Sequence, residues 1–287
     1  MTVHDFTATL AATLATAYPA AETQAIAALV AETLLELSPL QRRSQATELV
    51  PAAVAARLPE LQRRLLAYEP VQYVLGTAHF AGMELEVTPA TLIPRPETEE
   101  LAQLIARANA TRPGLTVLDV GTGSGCLALA LARALPRPAW VLGVDISAGA
   151  LAVARRNAAR YAPSVQFEQL DILQDAPQGA APGTLGLLAS NPPYVRDSER
   201  ALMRENVLAW EPATALFVPD ADPLLFYRRL AALAGELLQP GGQAWLEINE
   251  ALGAETAALF GPAHFAEVAV LADYFGRVRF VRATRRS

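Results

Sequence analysis

The segment that most constrains the fold is the glycine-rich loop Gly121–Gly125, which lies between a short apolar strand and a helix. The strand is predicted over Leu115–Val120, and the helix continues to Ala134. Three glycines in five residues allow the backbone to turn tightly and to approach a ligand at the helix N-terminus. The sixth position is Cys126, where the dinucleotide-binding fingerprint requires glycine. The loop therefore predicts a strand–loop–helix unit that binds a ligand; a tight turn that binds nothing is the alternative.

Strands and helices alternate from about residue 94 onward. This pattern is typical of an α/β fold, in which a mostly parallel, doubly wound sheet carries helices on both faces. Ligands of such sheets bind outside the carboxyl ends of the strands. The predicted strands cover residues 115–120, 140–145, 165–171, 185–191, 243–249, about 264–271 and about 277–284.

The first 75 residues contain only helical patterns. Ser38 and Pro39 form the cap and first turn of one of these helices. Between Gly76 and Pro89, the segment Met83–Val87 alternates like a strand, which predicts a hairpin. We therefore expect a helical domain over residues 1–75, a hairpin linker over 76–93 and an α/β domain over 94–287.

Charge and composition exclude several classes of protein. A net charge of −6 argues against a broad nucleic-acid surface, because such binding rests on many phosphate contacts. Cys126 is the only cysteine and the three histidines are scattered, so neither a disulfide nor a metal site is expected. No apolar run reaches the length of a membrane helix and no signal pattern opens the chain, which predicts a cytoplasmic protein.

The basic residues at the C-terminus form the one cluster of positive charge. We predict that they lie on the solvent face of a strand and on a frayed tail, with a weak RNA or partner contact as the alternative. They are Arg277, Arg279, Arg282, Arg285 and Arg286.

Asp145 ends the second predicted strand of the α/β domain. A carboxylate at this place can accept hydrogen bonds from both ribose hydroxyls of a nucleoside cofactor. An aspartate that ends a strand is also often a cap for the next helix. Together with the glycine loop, Asp145 indicates a nucleoside ligand but does not choose among cofactors.

The motif Asn191-Pro192-Pro193-Tyr194 follows the fourth strand of that domain. An amide or aromatic amine is a poor nucleophile because its lone pair is delocalised. The Asn191 side-chain oxygen and the Pro192 carbonyl can accept hydrogen bonds from such an NH2 group, and Tyr194 offers a ring face for packing. Two prolines stiffen the loop. The motif therefore predicts a site for a planar nitrogen, with an ordinary Pro-Pro turn as the alternative.

In this order, the glycine loop, Asp145 and the Asn-Pro-Pro-Tyr motif resemble the class I methyltransferases that modify exocyclic amino or amide nitrogens. The segments Pro70–Leu101 and Glu211–Val218 further resemble the bacterial release factor glutamine methyltransferases, known as PrmC or HemK. The resemblance implies a Rossmann-like, mostly parallel seven-stranded sheet with a small N-terminal helical domain. It also implies S-adenosylmethionine as cofactor, and as substrate the glutamine of the Gly-Gly-Gln loop in class 1 peptide-chain release factors.

The resemblance also implies roles for individual residues. The cofactor-binding set is Gly121, Thr122, Gly123, Ser124, Gly125, Asp145 and Asn191, with Ile172 as an apolar adenine contact. Asn191, Pro192 and Tyr194 are the expected catalytic residues, and Asn191, Pro192, Pro193 and Tyr194 hold the substrate. Residues 1–75 are expected to dock the release factor, and the enzyme is expected to be a monomer without nucleic-acid or membrane partners.

Two further readings of the function stay open. A DNA or RNA amino-methyltransferase faces the same planar nitrogen at adenine N6, although it must also hold phosphates. A non-catalytic nucleoside-binding module is the third possibility. Two segments have local roles: Pro94–Glu99 is expected to start a helix and to line the methionine end of the cofactor, and Gly241-Gly242-Gln243 is expected to be a turn.

Overall fold

The computed structural model describes residues 1–287, which divide into two compact units. The helical unit comprises Met1–Thr77 and Arg204–Trp210, and the sheet unit comprises Ala78–Met203 and Glu211–Ser287. The helices are α1 Val3–Leu14, α2 Ala20–Leu35, α3 Pro39–Ser44, α4 Ala52–Ala55, α5 Leu58–Leu66, α6 Val71–Leu75, α7 Pro96–Ala108, α8 Cys126–Ala134, α9 Ala148–Tyr161, α10 Glu205–Trp210, α11 Leu225–Leu237 and α12 Gly253–Ala258. The strands are β1 Thr77–Phe80, β2 Met83–Glu86, β3 Thr116–Val120, β4 Trp140–Asp145, β5 Gln166–Gln169, β6 Leu185–Ser190, β7 Val195–Arg196, β8 Phe217–Val218, β9 Leu238–Glu247, β10 Phe265–Ala272 and β11 Val278–Arg285.

The helical unit has its own apolar core and well-defined helix starts. Phe6, Leu10 and Leu65 are completely buried in this core. At α3, the Ser38 hydroxyl accepts the Gln41 N–H and the Gln41 side chain accepts the Ser38 N–H, which confirms the predicted helix start. No helix of the protein is long and apolar enough to cross a membrane.

Helix α10 belongs to the helical unit although it comes from the later part of the chain. The Trp210 indole N–H donates to the Ala67 carbonyl at 3.2 Å, and Arg204 pairs with Glu22 at 3.1 Å. The sequence interpretation ended the helical part at residue 75 and did not include this segment.

The sheet unit contains a seven-stranded sheet with the order β10-β11-β9-β6-β3-β4-β5. Strands β9, β6, β3, β4 and β5 run parallel, whereas β11 is antiparallel to β9 and β10 is antiparallel to β11. Two apolar clusters cover its faces, which confirms the predicted fold class. The chain first builds outward from β3 through β4 and then returns to β6 on the other side. The ends of β3 and β6 therefore flank the switch point where ligands bind.

The hairpin β1–β2 packs within the sheet unit. Phe80, Met83 and Leu85 are at most 2% exposed and lie in the same cluster as the helices on one face of the sheet. The Glu86 N–H donates to Asn157 Oδ1 at 2.7 Å, so α9 also holds the hairpin by hydrogen bonding. The hairpin thus contributes to the core of the sheet unit. Its interpretation as a linker did not include this role in the core.

The prediction for the C-terminal arginines is wrong for two of them. The side chains of Arg279 and Arg282 are only 14% and 25% exposed, because both lie on β11 against its neighbours. Arg282 stacks over the Trp245 ring and pairs with Glu267, so its charge is partnered within the sheet. Arg285 and Arg286 donate to carbonyls of the turn before β10.

The Gly-Gly-Gln sequence of this chain has a structural role. Gly241 adopts a φ of +73°, which favours glycine, and the segment forms an irregularity within β9, where the sequence analysis expected a turn. The Gln243 side-chain oxygen accepts hydrogen bonds from Asn109 and from the Trp245 indole. These contacts tie Gln243 into the sheet unit.

Candidate active site

The glycine loop is shaped by three positive φ angles, +72° at Gly121, +57° at Gly123 and +82° at Gly125. Non-glycine residues rarely adopt such angles, which explains the spacing of the glycines. The Gly123 N–H donates to Asp145 Oδ2 at 2.9 Å, so the loop after β3 and the end of β4 are joined directly. The Ser147 N–H donates to the other Asp145 oxygen at 2.9 Å.

Hydrogen bonds and packing of the remaining loop residues hold the loop in place. The Thr122 hydroxyl donates to Asp119 Oδ2 at 2.7 Å, and the Asn157 amide donates to the Ser124 carbonyl at 3.0 Å. A side chain at Gly125 would approach Ala154 to 3.3 Å, so glycine is needed there for close packing of α9. Contact of Thr122, Ser124 and Gly125 with a cofactor stays a prediction.

A cavity of about 450 Å³ opens at the switch point of the sheet. This volume lies in the range of small-molecule sites. The sequence-predicted residues that line it are Gly121, Gly123, Asp145, Ile172, Asn191, Pro192 and Pro193. Ile172 is 7% exposed and, with Leu170 and Leu173, forms an apolar part of the wall. Burial raises the pKa of Asp145, and N–H donors at Ser147 and Gly123 oppose this effect.

Asn191 follows β6 directly and lies beside the glycine loop. The register pairs Val120 with Ser190, and a side chain at Gly121 would come within 3.8 Å of the Asn191 carbonyl oxygen. The Asn191 Nδ2 donates to Thr98 Oγ1 at 2.9 Å. Its Oδ1 makes no hydrogen bond within the chain. Asn191 therefore lines the cavity and has a side-chain oxygen that no other group of the chain uses.

Residues at and just after the end of β9 hold Tyr194 in place. Its hydroxyl donates to Glu247 Oε1 at 3.0 Å, and its backbone carbonyl accepts from Asn249 Nδ2 at 3.1 Å. The ring packs against the apolar cluster around α11 and does not line the cavity. Direct contact of the Tyr194 ring with a substrate stays a prediction.

Glu247 is the main site residue that sequence reasoning missed. Its side chain receives hydrogen bonds from Thr98 and Tyr194, and the residue is 1% exposed. Burial raises its pKa to about 7, against the opposing effect of the Thr98 and Tyr194 donors and of Arg279. The available signal was an acid at the carboxyl end of a predicted parallel strand, where ligands of this fold bind.

A second unpredicted contact joins two walls of the cavity. The Arg95 guanidinium donates to Glu211 Oε1 at 2.6 Å, and the Ile93 N–H donates to Glu211 Oε2 at 3.1 Å. The Glu211 side chain is 1% exposed. Pro96 begins α7, as predicted, whereas Arg95 pairs with Glu211 and makes no side-chain cap.

The sheet order, with a cavity at its switch point, is that of the class I S-adenosylmethionine-dependent methyltransferase fold. A family model described as a methyltransferase domain matches residues 117–207, and a model described as the PrmC N-terminal domain matches residues 7–76. A methyltransferase structure from Pyrococcus furiosus covers 79% of this chain and 99% of its own at 19% identity, with a TM-score of 0.51, which shows the fold.

Curated relatives define the particular family. A release factor glutamine methyltransferase from Bacteroides thetaiotaomicron is 41% identical over 93% of this chain and 95% of its own length. Another protein of that name, from Flavobacterium psychrophilum, is 41% identical over 78% of both chains. The chain belongs to the release factor glutamine methyltransferase family.

Proposed function

We propose that this protein transfers a methyl group from S-adenosylmethionine to the side-chain nitrogen N5 of a glutamine, in the Gly-Gly-Gln motif of class 1 peptide-chain release factors. The observation that carries the proposal is the family relationship, which extends over 93% of the chain. Asn191, which lines the cavity and has a side-chain oxygen that no other group of the chain uses, supports it from the geometry.

The residues of the cavity fit the cofactor. Asp145 can accept ribose hydroxyls with the lone pairs that Gly123 and Ser147 leave free, and Ile172 supplies an apolar surface for adenine. The glycines bring the backbone close to the ligand without side chains in the way. When bound, S-adenosylmethionine supplies an electrophilic methyl carbon on its sulfonium.

The Asn-Pro-Pro-Tyr segment is proposed to orient the acceptor amide. Asn191 Oδ1 and the Pro192 carbonyl accept hydrogen bonds from the substrate NH2 group and direct its nitrogen toward the methyl carbon. The bound cofactor would supply the methyl carbon to which this nitrogen bonds, its sulfur would leave as the neutral thioether, and the nitrogen would then lose a proton to water. Most of the acceleration is expected from positioning and from acceptors placed for the developing positive charge.

The remaining parts of the proposal concern partners and location. We propose that the helical unit docks the release factor, since the methyl chemistry uses none of its residues. A net charge of −6 favours a protein partner over nucleic acid. We further propose that the enzyme acts as a monomer in the cytoplasm.

The decisive experiment is transfer of labelled methyl groups into an intact release factor. Mass spectrometry must locate the label on the glutamine of the Gly-Gly-Gln motif. A parallel reaction with DNA and RNA tests the alternative, and preferential labelling of either would overturn the substrate assignment. Cofactor binding without transfer to any of them would support the non-catalytic alternative.

A further inference from the structure

A buried chain of hydrogen bonds runs from Glu247 to Asn191. The Thr98 hydroxyl donates to Glu247 Oε2 at 2.7 Å, and the Asn191 Nδ2 donates to Thr98 Oγ1 at 2.9 Å. Thr98 and Glu247 are 3% and 1% exposed, so water does not compete with these bonds. The Tyr194 hydroxyl donates to the remaining oxygen, Glu247 Oε1. The Glu247 carboxylate thus accepts one hydrogen bond from Thr98 and one from Tyr194.

When Glu247 is ionised, the chemistry of these groups fixes the direction of every hydrogen bond in the chain. An ionised carboxylate only accepts, so Thr98 must use its single hydroxyl hydrogen toward Glu247. Thr98 can then only accept from Asn191, and Asn191 must present its NH2 group to Thr98. Its Oδ1 is thereby left for the cavity. The opposite orientation of the amide would place two acceptors, Oδ1 and the threonine oxygen, against each other.

We infer that Glu247 is a positioning residue that acts through Thr98 to hold the Asn191 amide with Oδ1 toward the acceptor nitrogen of the substrate, and that holds Tyr194 by its second oxygen. This inference rests on the proposed function, because it assigns Oδ1 the role of accepting a hydrogen bond from the glutamine NH2 group. Glu247 itself touches neither substrate nor cofactor in this arrangement.

Replacement of the Glu247 carboxylate by an amide should disturb the direction of these hydrogen bonds without changing the shape of the side chain. In Glu247→Gln the side chain has one acceptor oxygen and one NH2 group in place of two acceptor oxygens. Either the Thr98 hydroxyl or the Tyr194 hydroxyl therefore loses its acceptor. If Thr98 loses it, its hydroxyl turns toward Asn191, and the amide reverses to present NH2 to the substrate. Thr98→Val removes the hydroxyl at nearly the same size, whereas Thr98→Ser keeps it.

The first test is kinetic and uses the full-length protein with an intact release factor. Glu247→Gln and Thr98→Val should each lower kcat about 10- to 100-fold, the size expected for one lost hydrogen bond to an oriented polar group. The affinity for S-adenosylmethionine and the KM for the factor should change less than threefold. Thr98→Ser should retain most of the rate. Glu255→Gln, at an exposed position on α12, is the matched control.

The dependence on pH separates positioning from a general loss of structure. The groups around Glu247 are Thr98 and Tyr194 as hydrogen-bond donors, Arg279 and Glu97 as charges, and the Tyr227 hydroxyl and the Cys126 thiol as further titratable groups. Because the arrangement requires ionised Glu247, kcat should rise with pH through the region near 7, where the pKa of Glu247 lies. The Glu247→Gln variant should lack this rise. The Asn191 side-chain NH2 signal in nitrogen-labelled protein should shift over the same range in the parent, and the Asn191→Asp spectrum identifies that signal.

The outcomes distinguish this inference from the proposed function. A parent protein that does not methylate the factor contradicts the function, while the NMR titration still tests the hydrogen-bond chain. A parent that does methylate it, with folded Thr98→Val and Glu247→Gln variants that keep kcat within threefold, overturns the inference. If Glu247→Gln does not fold, the test is the comparison of kcat between Thr98→Val and Thr98→Ser. Equal kcat values for these two variants overturn the inference.

Discussion

Removal of Glu211 should loosen the cavity by separating two of its walls. Glu211 accepts from Arg95 and from the Ile93 N–H, and the loops on either side of these contacts supply cavity-lining residues. Glu211→Ala leaves the Ile93 N–H buried without an acceptor, which costs about 1–3 kcal/mol. Arg95 is one-third exposed, so water partly replaces its lost partner. With about 1 kcal/mol for the lost partner of Arg95, the sum is roughly 2–4 kcal/mol, which overlaps only the lower part of the 3–5 kcal/mol range for a fully buried pair.

Thermal unfolding and calorimetric titration are the measurements. For a unit of about 200 residues, that loss corresponds to a drop in melting temperature of roughly 5–15 °C. The affinity for S-adenosylmethionine should fall about tenfold or more, because binding must then order both loops. Arg95→Ala and the double variant complete a mutant cycle that isolates the coupling between the two side chains.

The exposed pair Arg63–Glu60 provides the control. Its side chains are 71% and 57% exposed, so Glu60→Ala should leave the melting temperature and the affinity unchanged. Equal melting temperatures for Glu211→Ala and Glu60→Ala would refute the reasoning. So would additive effects of Arg95→Ala and Glu211→Ala, since contacting residues should couple.

Four further predictions address the site and the units. Asp145→Ala should weaken cofactor binding roughly 10- to 150-fold by titration calorimetry, from a lost charged acceptor worth about 1.5–3 kcal/mol; unchanged affinity would remove Asp145 from the site. Asn191→Ala should abolish transfer in the labelled-methyl assay while changing cofactor affinity less, because its main bond is made to the reacting amide; turnover within a few-fold of the parent would contradict this role. Burial raises the pKa of Asp119 to about 7, above its ordinary value near 3.9, so between these pH values the folded state retains a proton that the unfolded chain loses. The free energy of unfolding should therefore fall as pH rises from about 4 to 7. Denaturant unfolding of Asp119→Asn should show a weaker fall with pH, and the same pH dependence as in the parent protein would rule out this carboxyl as the cause. A truncated chain that begins at Ala78 keeps the core hairpin and should bind cofactor but lose most activity on the intact factor; equal kcat/KM for both chains would refute docking by the helical unit.

The sequence by itself determined the elements and the local chemistry of the site. The strand, the three glycines and α8 are specified within about 20 residues, because the positive φ angles and the apolar pattern are local properties. The same holds for Asp145 at the end of β4 and Asn191 at the end of β6. The parallel sheet follows from the alternation of strands and helices, and a ligand at its carboxyl edge follows from that topology.

Only the tertiary structure decided which side chains support those residues. Thr98 and Glu247 are 149 positions apart, and Arg95 and Glu211 are 116 apart, so no local pattern relates them. Glu247 reaches the Asn-Pro-Pro-Tyr loop because β9 lies next to β6, and the low exposure of Arg279 depends on β11 lying next to β9. The order of strands in a sheet is set by the packing of the whole unit. The partners of a buried carboxylate, and hence its pKa, follow from that order.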